Sequence, residues 1–159
     1  MTKNRSPKET PSRQVIVDSV DRISSKELDD FFDAVVKVEK ESWPPELQAS
    51  RQKFISRQEV FQEGFFVARV DGKIKGITTS QIVNYPSERE TWNAITDNGF
   101  IKKTHNSSGN ALYVVSIGVA GDAQGMGLGS ILLGAQKDLV RELNLTHLFL
   151  GARIPGYDR

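Results

Sequence analysis

Residues Gln124-Gly125-Met126-Gly127-Leu128-Gly129-Ser130 are the stretch of this chain whose types and spacing could do chemistry. They follow an apolar run of β type (112–119) and lead into an amphipathic helical run (128–143). The first backbone N–H groups of a helix have no partner within it, and the helix dipole adds partial positive charge there. A strand that empties through a glycine turn into such a helix end can therefore hold an anion. Glycines at the alternate positions 125, 127 and 129 keep side chains out of the approach, so that a diphosphate could come close to the backbone.

Other phosphate-binding turns fit these residues less well. A P-loop ends its glycine turn on Lys followed by Ser or Thr, and no Lys occurs between Lys103 and Lys137. A dinucleotide turn needs Gly-x-Gly-x-x-Gly; counted from Gly125 and Gly127 the third position is Ser130, and from Gly127 and Gly129 it is Leu132. A glycine-rich connection that holds nothing is the plain alternative, and Gln124 with three spaced glycines at a strand-to-helix junction speaks against it.

The elements that must position this turn can be read from apolar periodicity. Val15-Ile16-Val17 is a short β-type run. Ser24 or Ser25 can cap a helix in which Leu28, Phe31, Phe32, Val35, Val36 and Val38-Glu39 recur at helical spacing. That helix should end near Trp43, because Pro44-Pro45 cannot continue it. A second helix is expected over 46–61, with Leu47, Phe54, Ile55 and Val60 among its apolar positions. The period then changes to two: 65–70, the turn Asp71-Gly72 and 73–82 predict a hairpin. Residues 83–110 carry few strong apolar positions, with a short helix expected over 88–96. A connection this long inside a compact domain is usually functional or mobile. A strand over 111–119, the glycine turn, a helix and a last strand over 146–150 complete the order.

Composition narrows the chemistry. The charges nearly cancel, 21 basic against 20 acidic, so nothing in the balance asks for nucleic acid or an anionic membrane. Without cysteine there are no disulfides, thiolate ligands or Cys nucleophiles. The two histidines, His105 and His147, lack spaced partners, so no metal site is expected. No apolar run approaches the ~20 residues that cross a bilayer, and residues 1–14 lack the apolar stretch of a signal peptide, so a cytoplasmic location is expected. That segment, with Lys3, Arg5, Lys8 and Arg13, reads as a disordered polar tail, and residues 15–159 as one domain.

The order strand, helix, helix, hairpin, long loop, strand, glycine turn, helix, strand resembles the GCN5-related N-acetyltransferase (GNAT) superfamily, which binds acyl-coenzyme A. The family's diphosphate loop reads Gln or Arg, two residues, Gly, one residue, Gly or Ala. Gln124, Gly127 and Gly129 match it in full. The resemblance covers about 15–150 and implies an α/β (α+β) fold: a mixed, mostly antiparallel sheet flanked by helices, with a β-bulge near Ser116-Ile117-Gly118-Val119 and splayed fourth and fifth strands. More weakly, 151–157 resembles the segment after the fifth strand in a bacterial subgroup often found beside carbon–nitrogen hydrolase domains.

The resemblance implies direct transfer of an acetyl or other acyl group from acetyl-CoA, without a metal, to a primary amine of a small molecule or protein. The coenzyme would contact Ile117, Gly118 and Val119 through its pantetheine arm, and Gln124, Gly125, Met126, Gly127, Leu128, Gly129 and Ser130 through its diphosphate. An N–H within 117–119 could stabilise the developing oxyanion. The attacking amine must be neutral, which calls for a base or a water relay, and the departing thiolate benefits from an acid. Many family members carry a Glu on or near the fourth strand; this strand has none. Ser116 could position a water or simply hydrogen-bond locally. Tyr157 is a candidate acid. Thr78, Thr79, Ser80 and Gln81 could face the acceptor or form an outward polar face, His105 could act as a loop base or be solvated, and Trp92 could line an acceptor pocket or pin the loop. Family members continue past the fifth strand with a helix and two strands, so the domain reads as C-terminally incomplete. A homodimer or a C-terminal partner domain could complete the sheet. The rival reading is a non-catalytic acyl-CoA-binding or regulatory module, or a fragment of a larger multidomain enzyme.

Overall fold

The computed structural model describes residues 15–19, 25–87, 89 and 91–150; the predicted tail (1–14) and Tyr157 lie outside them. Five strands form one sheet in the order β1 (Val15–Ser19), β2 (Phe66–Val70), β3 (Lys73–Val83), β4 (Ala111–Val119), β5 (His147–Leu150). The first three pairings are antiparallel and the last, β4 with β5, is parallel. The helices are α1 (Ser25–Ser42), α2 (Arg51–Val60), α3 (Trp92–Thr96) and α4 (Leu128–Glu142). This is the mixed, mostly antiparallel architecture that the family resemblance implies. Among the described residues no helix is long and apolar enough to cross a membrane.

Strand alternation tells which helix lies on which face. A Cβ at Gly76 would meet Leu132 of α4, and Gln136 of α4 donates to Thr78 Oγ1, so α4 covers the face that carries residues 76 and 78. The neighbours Ile77 and Thr79 face the other way. Gly118, paired with Ile77, lies against Ser42 of α1, and Thr79 meets Arg57 of α2. Phe31, Phe32 and Val35 from α1 join Phe54, Phe65, Val67, Ile77 and Ile117 in one buried cluster that continues to Leu128 and Leu132. The β2–β3 hairpin closes through Asp71 (φ 53°) and Gly72 (φ 85°), the two positive dihedrals of a two-residue turn.

The second helix departs from expectation. Pro45–Leu47 forms only a 3-10 turn, and α2 starts at Arg51, where the Ser50 side chain accepts from the Lys53 N–H. The physical reason is a competing acceptor: the Ala49 N–H goes to Glu39 Oε2 at 2.7 Å, which ties the connection to α1 instead of letting it coil onward. The polar run on β3 also corrects the reading of an outward face. Thr78, Thr79, Ser80 and Gln81 are all buried. Gln81 donates to Ile95 O (2.6 Å) and accepts from Thr104 Oγ1 (2.6 Å), while Thr78 donates to Ser116 O. Only Thr79 reaches toward the cavity described below, through Arg57 and Ser116.

Residues 91–110 are pinned rather than loose. Trp92 Nε1 donates to Val115 O (3.0 Å), Ser56 Oγ to Phe100 O (2.7 Å) and Arg57 Nε to Gly99 O (2.6 Å). His105 accepts the Ile82 N–H on Nδ1 (3.0 Å) and stacks on Phe61. It is therefore a strut between the loop and β3, which answers the loop-base reading. Burial holds its pKa below the ordinary 6.5, against the opposing pull of Glu63. A depressed folded-state pKa means that the stabilisation is present above 6.5 and is lost as pH falls through the folded value. The expected result is a melting temperature that drops on acidification below about pH 6.5, and a shallower drop in His105→Gln. Thermal melts between pH 5 and 8 would show it, and parallel curves for the two proteins would refute it.

Candidate functional site

The register of β3 and β4 shifts where Thr79 pairs with Ser116 and Ser80 with Val114, so Val115 is an extra residue on β4. Such a bulge re-aims the strand. The pairing of β4 with β5 runs from Ala111↔His147 to Val114↔Leu150, so among the described residues the half of β4 from Val115 to Val119 has β3 on one side and no strand on the other. Bulge and parting coincide. Trp92 takes the bulge carbonyl, Val115 O, so that side chain both pins the loop and lines the space beside the strand.

Beyond β4 the chain turns through Gly121–Ala123 and Gln124 into α4. Gly125 (φ 88°) and Gly127 (φ 80°) take left-handed dihedrals that a side chain disfavours. A Cβ built on Gly125, Gly127 or Gly129 meets nothing within 4 Å, so the mouth of the turn is open. The N–H groups of Gly125, Gly127, Leu128, Gly129 and Ser130 find no partner among the described residues. Gln124 Nε2 reaches back to Val119 O at 3.4 Å, and Ser42 Oγ donates to that same carbonyl at 2.9 Å. Glu41 Oε1 accepts from the Gly121 N–H at 2.8 Å. The end of α1 thus braces the start of the turn, while the donors at its far side stay free for an anion.

A cavity of about 160 Å³ lies beside the bulge, lined among others by Glu39, Trp43, Lys53, Arg57, Trp92 and Ser116. Two of its wall residues are buried ionisable groups: Glu39 is 2% and Arg57 1% exposed. Arg57 is held by Gly99 O, by Thr79 Oγ1 and Ser116 Oγ (both 3.3 Å), and its guanidinium lies 4.9 Å from the Phe54 ring centroid. Burial pulls it down from 12.5 to about 10, partly opposed by the charge of Glu39, so it stays protonated at neutral pH. Burial pushes the Glu39 carboxyl above its ordinary 4.5, against the Ala49 N–H and the Arg57 charge. Glu39 Oε2 holds Ala49, and the buried Oε1 has no hydrogen-bond partner among the described residues.

Of the residues singled out from sequence, Ser116 is buried on the cavity wall with its hydroxyl engaged by Arg57 and Thr79. Ile117, Gly118 and Val119 pair with β3 on one side and have no described strand on the other, and Gln124 to Ser130 form the turn and first helical residues. Sequence reasoning missed Glu39 and Arg57. Both carried a signal. Glu39 sits four residues after Val35 and seven after Phe32, and Arg57 three after Phe54 and four before Phe61, so each is a charge on an apolar helical stripe. Among the described residues no three His, Asp or Glu side chains gather as a metal set would.

The described residues thus combine a sheet parted beside a bulge, a turn of unpartnered backbone N–H groups at one end of the parted strand and a cavity at the other. The chain belongs to the Acetyltransferase (GNAT) family, whose profile matches residues 26–157; this is a family of acyltransferases that use acyl-CoA. It is 35% identical over 130 residues to "Probable hydrolase YhcX" of Bacillus subtilis (strain 168), covering 80% of this chain and 25% of that protein. To "Uncharacterized N-acetyltransferase YkwB" of the same organism it is 35% identical over 132 residues, 79% of this chain and 58% of that one. The chain thus spans a quarter and rather more than half of these relatives. A GNAT-like decarboxylase, GphF, solved in complex with isobutyryl-CoA, superposes with a TM-score of 0.59 at 24% identity, over 76% of this chain and 55% of that one, and shares its fold.

Proposed function

We propose that residues 15–159 form an acyl-CoA-binding domain that transfers an acetyl or other acyl group to a primary amine in a ternary complex. The observation that carries this reading is the open, donor-lined turn at Gly125, Gly127 and Gly129, in a chain of the GNAT family. The diphosphate would rest on the N–H groups from Gln124 to Ser130. The pantetheine amides would pair with 117–119 along the edge that β5 leaves free, as an added strand would. This route brings the thioester to the bulge, beside the cavity wall of Val115 and Ser116. An N–H of 117–119 would stabilise the oxyanion as the amine attacks. Ser116, held by Arg57 and Thr79, would position a water, and Tyr157 would be the proton donor to the departing thiolate.

A second reading, a coenzyme-binding module within a longer protein, is favoured by the likeness to a probable hydrolase of which this chain covers a quarter. Release of free thiol from acetyl-CoA in the presence of primary amines separates the two. The chain itself contains no cysteine to react with a thiol reagent. Amine-dependent thiol release supports the transferase. Acetyl-CoA binding with no release for any primary amine would leave the module.

A further inference from the structure

We propose that the cavity beside Ser116 holds a carboxylate on Arg57 and Lys53, and that the acceptor carries it, so that the amine acylated here is that of a free amino acid. The inference rests on the acyltransferase reading above and narrows its primary amine to one chemical class.

The case begins with which atoms the cavity can reach. Among the described residues, the buried side-chain atoms that lack a hydrogen bond and are sealed from solvent are Glu39 Oε1 and Gln136 Oε1. Arg57 differs. Its Nε goes to Gly99 O and its Nη1 to Thr79 and Ser116, whereas Nη2 has no hydrogen-bond partner and is not sealed. On a residue that lines the cavity, Nη2 is a charged donor with surface left for a ligand. A buried guanidinium is costly while any of its N–H groups stays unpaired. A carboxylate is the acceptor that suits it best in charge and shape.

Lys53 supplies a second cation. It stands four residues before Arg57, one turn away on the same face of α2, and lines the same cavity. Its Nζ lies 5.5 Å from the Phe100 ring centroid and makes no ion pair among the described residues. The acids on the wall are Glu39 and Glu46. Glu39 turns Oε2 to the Ala49 N–H and keeps Oε1 sealed, and burial raises its pKa. Glu46 is exposed on the Pro45–Leu47 turn, where water and salt screen its charge. The α2 wall therefore presents two cations to whatever enters.

Two sources could bring a carboxylate: the acceptor, or a dicarboxylic acyl group on the coenzyme. The geometry favours the acceptor. No residue of 117–130, the proposed coenzyme path, lines the cavity, which touches β4 at Val115 and Ser116. Its other walls come from the end of α1, the connection to α2, α2 and α3. At about 160 Å³ it is smaller than the roughly 300 Å³ at which drug-sized sites begin, so its occupant is small. Arg57 Nη1 is 3.3 Å from Ser116 Oγ. A carboxylate on this guanidinium would thus bring an amine on the adjacent carbon to the bulge where the thioester would arrive. An α-amino acid has that spacing, and Trp43 and Trp92 offer its side chain an apolar wall.

Calorimetry with the whole chain tests this. Acetyl-CoA is titrated first, then each common amino acid on the coenzyme-bound protein, then the decarboxylated counterpart of the tightest binder. That counterpart should bind about tenfold more weakly, or worse, as for a lost charged hydrogen bond. Lys53→Met should weaken the amino acid about tenfold, and Arg57→Lys about tenfold to a hundredfold, with acetyl-CoA and the decarboxylated amine unchanged. The Lys53 ammonium meets the fold at the Phe100 ring, so Lys53→Met keeps the test open if Arg57→Lys does not fold. A purely structural role would weaken amino acid and decarboxylated amine alike, and that result overturns the proposal. Succinyl-CoA in place of acetyl-CoA tests the other source. Tighter binding of succinyl-CoA that is lost in Lys53→Met would put the carboxylate on the acyl group and overturn the amino-acid assignment. Equal amino-acid affinity in parent and variants, or no amino-acid binding by a parent that binds acetyl-CoA, overturns the proposal alone. A parent that binds no acetyl-CoA overturns the coenzyme reading beneath it.

Discussion

Gly127→Asp is expected to weaken acetyl-CoA binding by about a hundredfold or more while the fold survives, because it sets a carboxylate among the backbone N–H donors that would meet the diphosphate. Gly127 is the residue before α4 and has φ 80°, ψ 16°. Aspartate tolerates the left-handed region better than most residues, and a Cβ there meets nothing within 4 Å, so the backbone strain is on the order of 1–2 kcal/mol. At a helix start the new carboxylate can also accept from the N–H groups of Gly129 or Ser130, as a natural N-cap does. It would thereby stabilise α4 and occupy the donors proposed for the ligand, and its charge would repel what approaches. Gly127→Asn repeats the shape and the cap without the charge and should lie between. Calorimetric titration with acetyl-CoA, alongside a thermal melt, reads both effects. Unchanged affinity in a folded Gly127→Asp protein would place the diphosphate elsewhere.

The second large effect belongs to stability. Arg57→Ala should cost about 3–5 kcal/mol, since removing one member of a buried charged network leaves its partners unpaired. For a chain of 159 residues that is a fall in melting temperature of about 6–20 °C. Gly99 O would lose a 2.6 Å hydrogen bond, Thr79 and Ser116 would lose a donor, and Glu39 would lose its compensating charge. The loop around Gly99 is itself strained: Asp97, Asn98 and Ile101 all have φ between 52° and 56°. Its conformation persists because Arg57, Ser56 and Thr96 hold it. Arg57→Lys should recover only part of the loss, because a single ammonium cannot reproduce the planar fork of donors. A fall of less than about 3 °C in the alanine variant would show that the network contributes little.

The turn and the cavity differ in how far the sequence discloses them. Gln124, Gly127 and Gly129 are neighbours in the chain, and their function depends on local backbone geometry, so their spacing alone indicates what they can do. The Asp71-Gly72 hairpin was legible for the same reason: two residues carry the whole turn. The start of α2 was not, because it depends on Glu39 capturing the Ala49 N–H from another element. The sequence left the polar run Thr78 to Gln81 open between an acceptor-facing and an outward face, because its partners, Ile95, Thr104, Ser116 and Gln136, are distant in sequence. No local pattern announces that a polar strand will be buried and satisfied.

By itself the sequence determined the order of elements, the hairpin, the glycine turn at the strand-to-helix junction and the family, because each rests on short-range periodicity or on contiguous residues. The resemblance implied a bulge near 116–119 and a parting of the fourth and fifth strands; tertiary structure alone set the extra residue at Val115 and gave its carbonyl to Trp92. It also brought Glu39 and Arg57, eighteen positions apart, to one cavity wall as buried charges. The reason is physical. A side chain's burial and charge environment are set by what packs over it, and here that is three elements folded onto one face of the sheet.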